Sequence, residues 1–393
     1  MDKLTSLELA RYGAAVCLVG EELYVWRGDS ANNVDRDAVY ILNINNCKRW
    51  KKVNTKPYQE VEGGMQSEIS PGNCSVAMCA VGDVLYTFGG WVCEQFYYSR
   101  SNALHKLDLH DMLWRKVVPI NPKNGPGMKD KCGMVEYKNK LCIFGGYGYQ
   151  SDHQLKNKLW SKTPGDLLCW TNELHLYELD TDQWSVPECS GTPPAPCAAF
   201  SFTKVDEHRV VLFGGRQCEG RVNELHILNM EQWIWSGPIT QLVDIDPWPI
   251  ARSLHTAVCL QDPSLPCSSH RQLLVLWGMD QDAEPINDLW LLDVDQLLWR
   301  QLPCGQGNAR VWHNTIAYYP SQGEAHVLTF GGSSKNIFRW EGEVCRLSDV
   351  AKMEFGVKSL FRSCVLHIRS NMDQYKLHLL PASITQYISD GNY

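Results

Sequence analysis

A short loop that opens with two glycines carries two arginines, and these side chains have the clearest potential for chemistry. The loop follows the apolar run Val210 to Phe213 and its glycine pair, and its two arginines are Arg216 and Arg221. A guanidinium is a planar fork of donors that matches a carboxylate, and the bonds between them are short and charge-assisted. A loop arginine is more often solvated or ion-paired at the surface. The loop by itself leaves both interpretations open, so the surrounding elements have to decide.

Composition narrows the class of protein. The chain has 393 residues and a net charge of −7, which argues against nucleic acid or an anionic membrane as its main partner. Its sixteen cysteines lie scattered through strand-like runs in a chain without a secretory signal, a pattern typical of reduced thiols. No apolar run approaches the roughly 18 residues of a membrane span. We therefore expect a soluble intracellular protein, nuclear or cytoplasmic or both.

Strand-like apolar runs that end at a glycine recur six times. When one column is formed from Gly28, Gly90, Gly146, Gly215, Met279 and Gly332, successive copies lie 53 to 69 residues apart by subtraction of the residue numbers. Each of the first five copies continues with an alternating apolar and polar run, which indicates a β-strand, and then reaches a tryptophan. These tryptophans are Trp50, Trp114, Trp184, Trp235 and Trp299. The pattern predicts an all-β chain built from six copies of one unit.

Glycine pairs and tryptophans have clear physical roles in such a unit. The glycines allow positive φ and close approach of the backbone, and the indole rings seal one sheet against the next. The pattern resembles the kelch repeat, whose unit is one four-stranded propeller blade. The resemblance covers roughly residues 8 to 350 and implies a six-bladed kelch β-propeller over residues 1–352. A small C-terminal helical segment is predicted over 353–393.

Two parts of the repeat region depart from the pattern. The sixth copy lacks a clear final tryptophan, and we expect the N-terminal segment around Leu4 to Leu9 to supply a strand that closes the ring. The third copy carries an insertion between Gly148 and Trp170. Long loops are often functional, but a tolerated surface insertion is an equal alternative.

The C-terminal tail changes from alternation to helical spacing. Apolar positions four residues apart predict two amphipathic helices, which could simply pack back on the propeller. The residue types at these positions also resemble two motifs of ubiquitin-ligase receptors, the elongin-binding BC-box and the cullin-2 box that follows it. The matching residues are Ser359, Leu360, Cys364 and Ile368 for the first motif and Leu380, Pro381, Ile384 and Ile388 for the second. The resemblance implies elongin B/C, cullin-2 and its RING subunit as partners, through an apolar helix face in a partner's groove.

The propeller region resembles the kelch domain-containing receptors that bind the extreme C-terminus of their targets, often a terminal glycine. The matching motifs are Lys129-Asp130-Lys131, Phe144-Gly145-Gly146-Tyr147, Gly215-Arg216, Arg221-x-Asn223 and Arg252-Ser253-x-His255. The resemblance implies that Arg216, Arg221 and Ser253 bind the terminal carboxylate. It also implies that Lys131, Tyr147 and Trp170 line the pocket, and that Trp312 is a further wall.

Two residues depart from that family. Leu254 stands where the receptors have a tryptophan beside the serine, and Asp29 stands where they have a tyrosine. A missing aromatic wall leaves more room, and an added carboxylate should weaken an anion pocket. Both substitutions bear on the preference for terminal glycine but leave the carboxylate chemistry in place.

Two other functions remain possible from the sequence. Some kelch propellers are copper oxidases, and fold does not fix function. The chain contains none of the common hydrolase, nucleotide-binding or metalloprotease motifs. Its histidines follow the repeat, which favours a structural role, so we expect no catalysis, metal or cofactor. The remaining alternative is a scaffold propeller or adaptor that binds partner proteins without degron specificity.

Overall fold

The structure is a computed structural model that describes residues 6–30, 38–46, 49–57, 74–94, 97–149, 168–241, 247–262, 271–303, 309–321, 324–338 and 345–356. These residues hold one short helix, α1 (Ser6–Leu9), and two 3-10 turns, Ile44–Asn46 and Pro122–Asn124. The strands of the first half are β1 (Arg11–Tyr12), β2 (Ala15–Val19), β3 (Glu22–Trp26), β4 (Asp29–Ser30), β5 (Ala38–Asn43), β6 (Trp50–Asn54), β7 (Lys56–Pro57), β8 (Ala77–Val81), β9 (Val84–Phe88), β10 (Trp91–Glu94), β11 (Tyr97–Arg100), β12 (Leu104–Asp108), β13 (Leu113–Lys116), β14 (Lys129–Asp130), β15 (Gly133–Tyr137), β16 (Lys140–Phe144), β17 (Tyr147–Gly148) and β18 (Cys169–Trp170). The second half adds β19 (Leu174–Glu178), β20 (Gln183–Ser185), β21 (Ser190–Gly191), β22 (Ser201–Lys204), β23 (Arg209–Phe213), β24 (Leu225–Asn229), β25 (Ile234–Ile239), β26 (Thr256–Cys259), β27 (Gln272–Leu276), β28 (Leu289–Asp293), β29 (Leu298–Leu302), β30 (Asn314–Ser321), β31 (Glu324–Phe330) and β32 (Val350–Gly356).

Six antiparallel sheets correspond to the six sequence copies, and we call them blades 1 to 6. They are β2-β3-β5-β6, β8-β9-β12-β13, β15-β16-β19-β20, β22-β23-β24-β25, β26-β27-β28-β29 and β30-β31-β32. The short strands β7 and β21 add a parallel fifth strand to the outer edge of blades 2 and 4. The first strand of each blade contacts the first strand of the next, and β30 of blade 6 contacts β2 of blade 1. The ring is therefore closed, which confirms the predicted six-bladed all-β architecture.

The predicted tryptophans seal the joints between blades. In each case the indole on the fourth strand of one blade packs on the aromatic residue that ends the second strand of the preceding blade. The pairs are Trp50 with Phe330, Trp114 with Trp26, Trp184 with Phe88, Trp235 with Phe144 and Trp299 with Phe213, at ring centroid distances of 4.3 to 6.0 Å. Because each pair spans two blades, the tryptophan stabilises the ring as well as its own sheet.

Blade 6 differs from the others. Only three of its strands lie among the described residues, and Leu276 takes the place of the aromatic residue in blade 5. Trp277, one residue later, packs edge-on against His313 of blade 6 at 5.1 Å, with the Arg310 guanidinium 4.8 Å from its ring. A different aromatic contact therefore seals this joint.

The N-terminal segment does not form the expected strand over the residues that the structure describes. Ser6–Leu9 is helical, and the Arg11 side chain holds the end of this helix by donating to the carbonyls of Glu8 and Leu9. Basic side chains commonly satisfy the last carbonyls of a helix in this way. Leu9 packs in the joint between blades 6 and 1, against Phe330 among others. The segment contacts the joint, but the prediction of a strand there is wrong.

The glycines that follow each second strand form a column with φ between +89° and +107°. They are Gly28, Gly90, Gly146, Gly215, Gly278 and Gly332. The prediction that Met279 belongs to this column was wrong by one residue, because Gly278 occupies it. A side chain does not fit there, since a Cβ at Gly278 would lie 2.7 Å from the Cβ of His255. The preceding position does accept a side chain, since Arg27 and Trp277 occupy it with φ of 59° and 55°. Met279 instead occupies the position of Arg216.

Several predicted features lie outside the described residues. They are residues 357–393 of the predicted C-terminal helical segment, which include both of its motifs, and the greater part of the insertion in blade 3. Residues 353–356 of that predicted segment instead belong to strand β32, so the propeller extends four residues beyond its predicted end. Within the described residues, no helix is both long and apolar enough to cross a membrane.

Candidate functional site

One end of the propeller carries a closed ring of backbone hydrogen bonds, one residue from each blade. In order around the ring the residues are Gly13, Ser75, Lys131, Ala199, Leu254 and Trp312. Each amide donates to the carbonyl of the preceding residue, at 2.8 to 3.4 Å, and Gly13 closes the circle by donating to Trp312. All six have φ between +55° and +61°, a conformation that is unfavourable for residues other than glycine. We call these residues the inner ring and this end the ring face.

Short ladders surround the inner ring and place one side chain of each blade on the ring face. The residue after the glycine column pairs with the residue just before the inner ring, as Arg216 does with Ala198 and Met279 with Ser253. Asp29, Trp91, Tyr147 and Ser333 occupy the same position in the other blades. Blade 4 is the blade that puts an arginine there.

Arg221 is held in a largely buried position between blades 4 and 5. Its guanidinium donates from Nε to Ser253 Oγ at 2.9 Å, from one terminal nitrogen to Met279 Sδ at 2.9 Å and from the other to the Gln281 carbonyl at 3.4 Å. The side chain is only 6% exposed. Burial lowers the pKa of Arg221, the charge of Arg216 lowers it further, and the Asp280 carboxylate acts in the opposite direction. A guanidinium has five N–H donors, so two of them remain for a ligand.

Arg216 lies beside Arg221 but is exposed to solvent. The two residues pair across the loop as a β-bridge, and Arg216 exchanges backbone hydrogen bonds with Ala198 at 2.8 and 3.0 Å. Among the described residues, no carboxylate forms an ion pair with either guanidinium. Two neighbouring cations that lack an anion are a suitable binding site for one.

Ser253 completes this group. It is 2% exposed and its backbone pairs with Met279, which fixes the side chain beside Arg221. Since its oxygen accepts from Arg221 Nε, its hydroxyl hydrogen can point toward a ligand. The structure therefore brings together the three residues that the sequence predicts as carboxylate ligands.

Lys131 and Trp312 meet across the centre of the inner ring. They belong to blades 3 and 6, which lie opposite each other, and the Lys131 ammonium is 5.3 Å from the centroid of the Trp312 ring. Trp312 also stacks on Tyr12 at 5.4 Å, and Lys131 forms an ion pair with Asp130 at 2.8 Å. Cation–π contacts of this kind contribute about 0.5–1 kcal/mol when exposed and more when desolvated. The two predicted wall residues therefore contact each other on the ring face.

Tyr147 and Trp170 form a second wall on blade 3. They are cross-strand partners in β17 and β18 with ring centroids 4.8 Å apart. The Arg100 guanidinium lies 5.2 Å from the Tyr147 ring and bonds to the fully buried Asp130 at 3.4 Å. The aromatic pair therefore contacts a charge pair, Arg100 with Asp130.

The two departures from the receptor family have specific surroundings. Asp29 accepts from Arg346 Nε at 2.7 Å, so its negative charge is paired. Burial and the nearby Asp29 raise the pKa of Tyr12, which keeps that hydroxyl neutral. A carboxylate paired in this way should weaken a neighbouring anion site less than an unpaired one would. Leu254 belongs to the inner ring and packs against Met279 in a small apolar cluster.

Sequence reasoning missed two residues that contact Arg221. Met279 could have been found once the glycine column was aligned correctly, because it then shares the position of Arg216. Gln281 carries no signal in the repeat, since the loop that holds it differs in each blade. Arg346, which pairs with Asp29 rather than with Arg221, was missed for the same reason.

Buried histidines next to the ring face are neutral. Burial lowers the pKa of His255 to about 3, and the pKa of His313 also lies well below its usual value. Their Nε2 atoms pair with Ser201 Oγ at 3.1 Å and Thr256 Oγ1 at 2.8 Å. Within the described part of the chain, no cluster of three or more histidine, cysteine, aspartate or glutamate side chains could hold a metal ion.

The fold and the ring face define a kelch-repeat propeller that brings two arginines together at one end. The chain belongs to the family of the KLHDC2/KLHL20/DRC7 Kelch-repeats domain, whose model matches residues 13–265 and 163–354. It is 31% identical to Kelch domain-containing protein 2 of Bos taurus over 84% of this chain and 79% of that protein. It is 28% identical to Kelch domain-containing protein 1 of Mus musculus over 96% of this chain and 89% of that protein. The solved structure of YjhT matches with a TM-score of 0.60 at 13% identity, over 89% of this chain and 96% of that one, which shows the fold alone.

Proposed function

We propose that this protein is the substrate-recognition subunit of a cullin-2 ubiquitin ligase and that it binds the free C-terminus of its targets. The observation that carries the proposal is the pair Arg216 and Arg221, two adjacent guanidiniums without a carboxylate partner among the described residues. Ser253 adds a hydroxyl to the same point. Arg216, Arg221 and Ser253 offer positive charge and hydrogen-bond donors. A terminal carboxylate supplies the matching negative charge and two acceptor oxygens in one plane.

The burial of Arg221 supports selectivity for a chain end. An internal peptide bond or a C-terminal amide carries no charge and leaves the buried guanidinium uncompensated. Hydrogen bonds to charged groups contribute roughly 1.5–3 kcal/mol each, and a buried group left unsatisfied costs a similar amount. The site should therefore prefer a free C-terminus by about two orders of magnitude in affinity.

The aromatic side chains on the ring face support contact with the last residues of the target. Tyr147 with Trp170 on one side and Trp312 with Lys131 across the ring leave polar and π surfaces for a peptide backbone. A target ending in glycine is proposed from the resemblance to the receptors that bind such ends. Leu254 in place of a tryptophan makes the tolerance for other last residues a property to measure.

The tail supports the assignment to a ligase. Its BC-box and cullin-2 box motifs imply binding of elongin B/C and cullin-2 with its RING subunit. The similarity to Kelch domain-containing protein 1 covers 96% of the chain and so includes part of residues 357–393. In this proposal the protein performs no chemistry itself. It raises the local concentration of the target near the ubiquitin-carrying enzyme.

A peptide library that presents each sequence with a free or an amidated C-terminus tests the proposal. We expect binding of the free acids and loss of binding on amidation, and the double variant Arg216→Ala with Arg221→Ala should bind neither form. A scaffold that recognises internal loops would bind both forms equally. Equal binding, or full binding by the double variant, would refute the proposed site.

A further inference from the structure

The arginine loop of blade 4 is held by a side chain from blade 5. Gln281 Oε1 accepts the backbone N–H of Arg221 at 3.0 Å, and Gln281 Nε2 donates to the backbone carbonyl of the same residue. The Gln281 carbonyl also accepts from the Arg221 guanidinium. One glutamine thus satisfies both backbone groups of Arg221, as a neighbouring β-strand would.

The loops on both sides are shaped for this contact. Gly220 has φ of +153°, and a Cβ there would lie 3.1 Å from Gln281 Oε1, so glycine permits the close approach. On the blade 5 side, Asp280 Oδ1 accepts the N–H groups of Asp282 and Glu284 at 3.0 and 2.9 Å. This turn fixes the residue next to Gln281 and directs the amide across the joint between the blades.

We propose that Gln281 is the positioning residue of the carboxylate site, and this inference rests on the proposed function. The direction of the Arg221 guanidinium depends on its backbone, which the Gln281 amide and the β-bridge to Arg216 hold from two sides. With Gln281 in place, the Arg221 guanidinium is ordered before the ligand arrives. Preorganisation of this kind raises affinity because less side-chain ordering remains to be done on binding.

The test replaces Gln281 with methionine, which has a similar length but cannot form the two amide bonds. The matched control is Gln217→Met in the same loop, because the Gln217 amide contacts Glu224 at 3.4 Å rather than an arginine. Binding of one peptide with a free or amidated C-terminus is measured for each variant, together with thermal unfolding. We expect Gln281→Met to bind the free acid about tenfold more weakly, the effect of losing hydrogen bonds of ordinary strength. Gln217→Met should bind like wild type.

A double-mutant cycle with Arg221→Ala separates positioning from a general structural role. If Gln281 acts through Arg221, then Gln281→Met should weaken binding no further once Arg221 is alanine. An additive loss in the double variant, or unchanged binding by Gln281→Met alone, would overturn the inference. If wild type shows no preference for the free acid, the proposed function fails. If wild type shows that preference and Gln281→Met retains it in full, only the inference fails.

Discussion

Replacing each arginine by lysine tests the carboxylate site most directly, because the charge stays while the planar fork is lost. Arg221 is 6% exposed and uses three of its donors on Ser253, Met279 and Gln281. A lysine ammonium is a strongly hydrated point charge on a flexible stem and cannot reproduce these contacts while also binding a carboxylate. Arg216 is exposed and its side chain has no such restraint among the described residues. The same change therefore meets two different environments.

The expected losses differ accordingly. At Arg221 the substitution removes about one charge-assisted hydrogen bond to the ligand, worth roughly 1.5–3 kcal/mol, so affinity should fall about 10- to 100-fold. At Arg216 the interaction is that of an exposed ion pair, worth roughly 0.2–1 kcal/mol in total. Because Arg216→Lys keeps the charge, its affinity should fall about threefold or less.

Fluorescence anisotropy with a labelled free-acid peptide measures both losses, at low and at high salt. The Debye length is about 10 Å at 0.1 M salt and about 3 Å at 1 M, so salt should weaken the contribution of exposed Arg216 more than that of buried Arg221. Equal losses at the two positions, or an Arg221→Lys variant that binds like wild type, would refute the argument from burial.

Three further outcomes are expected. Leu360→Ala combined with Pro381→Ala should abolish co-purification with elongin and cullin; association that survives both changes contradicts the tail motifs. Trp299→Ala should lower the free energy of unfolding by about 3–5 kcal/mol in chemical denaturation, because this indole seals blade 5 against Phe213 of blade 4, whereas Leu298→Ala, 57% exposed, should have little effect. Acid should destabilise the protein through His255, whose folded pKa of about 3 lies below the ordinary value of 6.5. Below pH 6.5 the imidazole of the unfolded chain binds a proton that the folded protein does not bind. The free energy of unfolding is therefore highest above pH 6.5 and is about 2 kcal/mol lower at pH 5. The melting temperatures of wild type and His255→Gln should converge as the pH falls. Melting temperatures that fall in parallel would contradict the assignment of this acid sensitivity to His255.

The architecture was readable from the sequence because its signals are local and repeated. A strand that ends at a glycine, an alternating strand and a tryptophan recur in order, and each copy predicts one blade without knowledge of the others. The error at Met279 arose where the local signal was ambiguous. Gly278 and Met279 look like a broken glycine pair, and only the backbone angles show that the pair is Trp277 and Gly278.

The N-terminal segment shows the opposite case. Leu4 to Leu9 lies in a short polar and apolar stretch with no periodicity to decide between strand and helix. Over the described part, tertiary contacts favour the helix. The Arg11 guanidinium donates to the carbonyls that end the helix, and Leu9 packs between blades 6 and 1. Tertiary packing overrides weak local preference in such segments.

The sequence by itself determined the six-bladed propeller and, through motif resemblance, the group Arg216, Arg221 and Ser253. Only the tertiary structure decided what surrounds that group. Gln281 reaches Arg221 across 60 residues of sequence, and Arg346 pairs with Asp29 across 317. Such contacts exist because the ring closes and brings the loops of neighbouring blades together. Their chemistry therefore depends on which blades are adjacent, which no single repeat encodes.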